Sequence, residues 1–355
     1  MNRGLMAWKG KFLVIAGVFF LGLAFGSSDA LAKRKQLIIC NFGGYSQKAL
    51  KKVFFDPFEK KTGIRCIGTS PPRLPKLKAM VESQNVEWDV VVLLDSWVER
   101  AARQNLLEPI DYSRIKKADL YPDAAAKYGV GIYYFASGMA YSKKAFPGEN
   151  HPRTWADFWD VKRFPGKRGM YKGAMEVLEF ALMADGVPID KMYPLDVDRA
   201  FRSLDKIKPY ISLWWRRGQE PIQAMVQGEV DMSTAWLTRV LGAVRGGAPL
   251  VANYNQAILR LDMWSVPRGC KNKKEAMDFI AFSTDPMLQA LLANLIPYGP
   301  VNKKAFDYIS PKLAKGLFSA PENASKMVIL NPDGRKWWGE NEAKVLERFQ
   351  EWLLK

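Results

Sequence analysis

The 355-residue chain carries 53 Lys and Arg against 36 Asp and Glu, for a formal net charge of +17, with one histidine and three cysteines. The length is enough for two domains, each with its own core, and the basic residues are scattered without a block or a nucleic-acid motif, so no nucleic acid is expected as a partner. His151 stands alone in Asn150-His151-Pro152, and no Gly-x-Ser-x-Gly, phosphate-loop or paired-cysteine motif accompanies it, which argues against an enzyme, a metal site or a cofactor.

In chain order, Met1-Asn2-Arg3, Lys9 and Lys11 precede the apolar run Phe12 to Phe25, and Ala30-Leu31-Ala32 follows. The run is too short to cross a bilayer comfortably, and a small-x-small site ends it. The pattern predicts a secretory signal peptide over residues 1–32 and a periplasmic mature protein. Cys40, Cys66 and Cys270 are an odd number; parallel strands rarely suit a Cys40–Cys66 bridge, and buried free thiols are expected.

Leu37 to Cys40, Ile64 to Ile67 and Val90 to Leu94 read as buried strands alternating with helices, the signature of a parallel α/β sheet. Ser46 and the pair Asp95-Ser96 are expected to cap the helices that follow them. Beyond Val130 to Phe135, small residues in Ser137-Gly138-Met139-Ala140-Tyr141 suit a crossing between domains. Thr154 caps a short helix through Trp159, and Glu176 opens another after the strand Gly169 to Tyr171. Asn272 with Glu275 predicts a capped helix. The tail, from Trp337 through Trp352, is an amphipathic helix.

The stretch Gly228 to Pro267 reads as a strand, a helix closed by Gly246-Gly247, and two further strands. Trp236, Arg239, Arg260 and Asp262 fall near the strand ends, where an aromatic, an acid and two guanidinium groups suit a small-ligand pocket.

Four motifs then occur in a fixed order: Pro57-Phe58-Glu59-Lys60-Lys61-Thr62-Gly63, Thr154-Trp155-Ala156-Asp157-Phe158-Trp159, Gly228-Glu229-Val230-Asp231-Met232 and Tyr298-Gly299-Pro300. With them the chain resembles a periplasmic solute-binding protein of an ABC importer, in the type II group that includes spermidine/putrescine-binding proteins. The resemblance implies an α/β fold of two lobes, each a mainly parallel sheet flanked by helices, joined by a hinge of crossing strands. It implies one lobe over 33–138 and 266–310 and the other over 139–265 and 311–355, with crossings near Ala136 to Tyr141 and Asp262 to Pro267. It implies a monomer that grips a small amine ligand, a polyamine such as putrescine or spermidine, between the lobes and hands it to a membrane permease with its ATPase.

Carried over by position, Phe42 is the first-strand aromatic, Glu176 a carboxylate on a second-lobe helix, Trp236 an aromatic wall and Asp262 the main carboxylate. Asp95, Ser96 and Tyr298 are further lining residues. Two positions depart from the polyamine pattern: Gly173 stands where a second carboxylate is expected, and Arg260 where an aromatic is expected. A guanidinium near the cleft repels a dication and suits a carboxylate. The alternative ligand is therefore a zwitterionic ω-amino acid such as γ-aminobutyrate. Tyr133-Tyr134 invites comparison with ferric-iron binders, but neighbouring side chains on a strand face opposite ways, and core tyrosines are expected.

Overall fold

Thirteen strands form one mixed sheet in the computed structural model, which describes residues 35–355. The signal-peptide expectation lies outside the described residues. In chain order the strands are β1 (Gln36–Cys40), β2 (Arg65–Thr69), β3 (Val90–Leu94), β4 (Leu107–Glu108), β5 (Ala125–Ala126), β6 (Gly129–Ser142), β7 (Arg168–Tyr171), β8 (Ile211–Trp215), β9 (Met232–Trp236), β10 (Leu250–Ala252), β11 (Ile258–Pro267), β12 (Gly299–Pro300) and β13 (Val328–Ile329). Eight of them run side by side in the order β2-β1-β3-β11-β6-β9-β7-β8, and the five short ones attach to β6 and β11.

The two ends of the sheet are parallel, as helical crossovers dictate: β1 lies between β2 and β3, and β7 between β8 and β9. The middle is antiparallel, where the crossing strands run between the two parallel ends. The chain passes through the middle once on β6 and returns on β11, so β6 pairs antiparallel with both β11 and β9, and β11 with β3. β6 is 14 residues long, and only Phe135 in it is not fully buried. It hands over from β11 to β9 at Ser137, which pairs with Ile258 on one side and Trp236 on the other. Gly138 follows because a Cβ there would lie 2.8 Å from the Ala257 Cβ and 3.1 Å from a Leu237 methyl.

Apolar side chains gather on both sides of this junction. Phe54, Phe55 and Phe58, on the helical segments Lys51–Phe55 and Asp56–Thr62, meet Phe279 and Trp264, with Phe58 and Phe279 edge-on at 5.4 Å. Beyond β9, Trp155 stacks on Phe180 at 3.8 Å, and the helix Pro332–Leu354 adds Trp338, Val345, Phe349 and Trp352. Each such side chain contributes about 1.5–3 kcal/mol by burial. Cys40 and Cys66 are buried free thiols on neighbouring strands, and Cys66 stands opposite Leu37 rather than Cys40.

Helix caps form where the capping side chain has nothing better to bond. Thr154 accepts from the Asp157 amide, and the Asp157 carboxylate accepts from the Thr154 amide, a complete capping box for Trp155–Trp159. Ser46, Asp95 and Asn272 do not cap. The helix Gly44–Leu50 starts from Gly43, whose φ of +76° favours glycine, and leaves Ser46 inside. Asn272 instead donates to the Gln36 carbonyl and to Asp89. Among the described residues no helix is long and apolar enough to cross a membrane.

Candidate functional site

Strand β11 carries Arg260 and Asp262 two residues apart, and strand alternation turns both to one face of the sheet. Register then sets their neighbours: Asp262 lies opposite Tyr133 on β6 and opposite Leu94, the last residue of β3. The helix Asp95–Arg103 begins directly after β3, so Asp95 and Ser96 arrive beside Arg260.

Arg260 is 2 % exposed and fully engaged. Its Nε and Nη2 donate to Asp95 Oδ1 at 3.0 and 2.5 Å, Nη2 also donates to Ser96 Oγ at 3.1 Å, and Nη1 lies 3.6 Å from Glu176 Oε1. Burial opposes its charge, but the Asp95 and Glu176 carboxylates outweigh it and hold the guanidinium firmly cationic. Arg260, expected from sequence to face a ligand, is therefore tied inward. Asp95 and Ser96, expected as lining groups, are the residues that tie it.

Asp262 is in the opposite condition. Oδ2 accepts a 2.6 Å hydrogen bond from the Tyr133 hydroxyl, while Oδ1 is buried with no hydrogen-bond partner. Burial pushes its carboxyl up to about 7, the Tyr133 hydrogen bond and Arg260 pulling the other way. Tyr133 stacks flat on Tyr298, with centroids 3.8 Å apart, and Ser46 Oγ lies 3.2 Å from the Tyr133 hydroxyl. Burial is also the first cause that pushes the Tyr298 phenol up to about 12; the Asp262 carboxylate adds to it and the Arg239 guanidinium opposes it. One ring thus feels a carboxylate and a cation.

Trp236 ends β9 and leads into the helix Leu237–Arg245. Its indole meets Trp215 edge-on at 5.4 Å and Tyr171 at 5.9 Å, and the Arg239 guanidinium lies 5.8 Å from its ring centre. Gly218 closes the other side: a Cβ there would fall 2.2 Å from the Trp236 ring and 2.7 Å from Arg239 Nε. Among the described residues Arg239 has no carboxylate partner. Phe42 is exposed and lies 6.2 Å from Trp97.

Glu176 precedes the helix Val177–Ala184 with φ +73°, a conformation strained for a residue with a Cβ. Burial pushes its carboxyl up to about 7 against the pull of Arg260. Glu176→Gly and Glu176→Ala both remove the carboxylate, but only glycine fits the backbone. In urea melts the glycine variant is expected to be more stable than the alanine variant by about 1 kcal/mol. Equal stabilities would show that the turn is unstrained.

Of the eight residues expected from sequence, the structure brings Asp95, Ser96, Glu176 and Arg260 into one network and joins Asp262 to Tyr298 through Tyr133. Trp236 lies with Arg239 and Gly218, and Phe42 with Trp97. Tyr133 and Ser46 are additions to the site, read from sequence as a core tyrosine and a helix cap. Alternation on β6 allows one of Tyr133 and Tyr134 to face the site, and only the pairing with β11 shows which; Tyr134 donates to Asp123 instead.

Residues 54–319 match the family of bacterial extracellular solute-binding proteins. The chain is 34% identical over 349 residues to the gamma-aminobutyric acid-binding protein of Pseudomonas aeruginosa, covering 96% of this chain and 97% of that one. It is 23% identical over 323 residues to the spermidine/putrescine-binding periplasmic protein of Escherichia coli, covering 88% and 90% of the two chains. The crystal structure of an ABC transporter substrate-binding protein from Bradyrhizobium japonicum superposes with a TM-score of 0.84 at 38% identity, covering 90% of this chain and 99% of that one. The two-lobed α/β architecture is that of such binding proteins, and these relatives are solute-binding proteins, not enzymes. The chain belongs to the bacterial extracellular solute-binding protein family, as the substrate-binding component of an ABC transporter working with a permease and its ATPase.

Proposed function

We propose that the ligand is a small zwitterionic ω-amino acid of the γ-aminobutyrate type, held by its ammonium at Asp262 and by its carboxylate at Arg239. The observation that carries this reading is the unequal commitment of charges. Arg260 and Asp95 satisfy each other, whereas Asp262 Oδ1 has no partner and Arg239 has no carboxylate among the described residues. Tyr298, which feels both free charges, and Trp236 supply apolar walls for the methylenes between. The gamma-aminobutyric acid-binding relative supports the reading; a polyamine needs a second uncommitted carboxylate, which Asp95 does not offer.

In this reading the lobes divide within β6 and β11, as 33–138 with 266–310 and 139–265 with 311–355. By that division Tyr133 and Tyr298 approach the ligand from one side, and Trp236, Arg239 and, at the return crossing, Asp262 from the other. Ligand therefore favours the closed state by bridging the two, and closure presents the pair of lobes to the permease. Calorimetric titration of the mature protein with γ-aminobutyrate, putrescine and spermidine tests it: the amino acid is expected to bind at least tenfold more tightly than either amine, and the reverse order overturns the assignment. Arg239→Gln is expected to weaken γ-aminobutyrate by about 1.5–3 kcal/mol, roughly ten- to a hundredfold, and to leave n-butylamine unchanged. An equal loss for both ligands would place Arg239 outside the carboxylate site.

A further inference from the structure

Asp95 and Glu176 are buried around Arg260 on β11, and Asp262 is buried two residues further along the same strand, bonded to Tyr133. Three carboxylates are enough to hold two ammonium groups, yet the site described above offers a place for one. We propose that Arg260 is a built-in surrogate for a second ligand ammonium: its guanidinium fills the cation site between Asp95 and Glu176 and thereby excludes diamines. This inference rests on the ω-amino acid reading and names the residue that enforces it.

The geometry supports the substitution of one cation for another. Residues two apart on a strand are separated by about 6.6–6.8 Å. The nitrogens of extended putrescine are about 6 Å apart by standard bond lengths. A diamine anchored at Asp262 and lying along β11 would bring its second nitrogen toward the network that now holds the guanidinium. That place is occupied by a group 2 % exposed, held by two bonds to Asp95 Oδ1 and one to Ser96, with Glu176 at 3.6 Å. Being covalently attached, it cannot be displaced. It also neutralises Asp95, so the carboxylate left for a ligand ammonium is Asp262. A merely structural tie between β11 and the helix Asp95–Arg103 would stabilise the fold but would have no bearing on which amine binds.

Wild type, Arg260→Met and Arg260→Lys, each checked for folding by circular dichroism, are titrated with γ-aminobutyrate and putrescine. Wild type is expected to bind γ-aminobutyrate and to show no putrescine binding at about 1 mM. Arg260→Met, which keeps the volume and removes the charge, is expected to gain at least a hundredfold in putrescine affinity, and Arg260→Lys to keep the wild-type preference. A folded Met variant with no gain overturns the surrogate role while the ω-amino acid reading stands. Wild type that prefers putrescine overturns that reading and the inference with it. If the Met variant does not fold alone, it is refolded with roughly 10 mM putrescine or γ-aminobutyrate. Selective recovery by the diamine supports the proposal, and unselective or absent recovery refutes it.

Discussion

Asp262→Asn is expected to weaken γ-aminobutyrate binding by two to three orders of magnitude and to remove most of the dependence of affinity on pH below neutrality. The side chain is 5 % exposed, so a ligand ammonium docked there is withdrawn from water and depends on the carboxylate for compensation. Removing one partner of a buried ion pair costs about 3–5 kcal/mol, which gives the expected loss. The pH dependence follows from the ligand-free site, where burial pushes the Asp262 carboxyl up to about 7. An ammonium binds the ionised form, so below pH 7 each binding event must release a proton. The apparent Kd of wild type is then expected to rise about tenfold per pH unit as pH falls below about 7. Calorimetry in buffers of different ionisation enthalpy would show this as proton release near pH 6, and a Kd constant from pH 5 to 8 in wild type would refute it.

The ligand-free protein should show the same carboxyl in its stability, with the sign reversed from the usual acidic residue. A carboxyl whose folded value lies above its unfolded value of about 3.9 binds an extra proton in the native state. Stability is highest below that unfolded value and falls as pH rises from about 4 to 7. Glu176, also pushed up to about 7 by burial, adds a slope of the same sign. Asp262→Asn should therefore flatten the decline in part, leaving the Glu176 share, and raise ligand-free stability above pH 7.

The strands and helices are largely legible in the sequence because they rest on local periodicity. β11 reads as a buried strand, and the two-residue spacing of Arg260 and Asp262 by itself puts them on one face. The state of those side chains is not legible. Arg260 reads as available because its partner, Asp95, is 165 positions away; only the antiparallel pairing of β11 with β3 brings the two together. Ser46 reads as a helix cap and is part of the environment of Tyr133, since a hydroxyl's role depends on which neighbours the sheet delivers. Arg239 is visible as a cation three residues after Trp236, a spacing that places it on the same side of the helix start. Its lack of an acidic partner is a property of the folded surface. The inventory of charges is thus local information, and their pairing is set by the register of three strands.

Asp95→Ala is expected to lower stability by about 3–5 kcal/mol, with a fall in Tm on the order of 10 °C. The substitution leaves the Arg260 guanidinium buried with one hydroxyl, the Met175 sulfur and the more distant Glu176 carboxylate as its polar neighbours. Glu176 then becomes the main counter-ion, and loss of the Asp95 charge, which helps push its carboxyl up, favours its ionised form. The double variant Asp95→Ala/Arg260→Met removes both charges and is expected to recover at least half of the loss, because exchanging a buried pair for apolar groups is often neutral or stabilising. Urea melts of the two singles and the double would measure the coupling, and a double as unstable as the sum of the singles would refute it. Recovery in the double variant means that the fold does not need the pair. Such recovery would leave discrimination as the role proposed for the pair: one cation kept inside the protein so that ligands bringing two are refused.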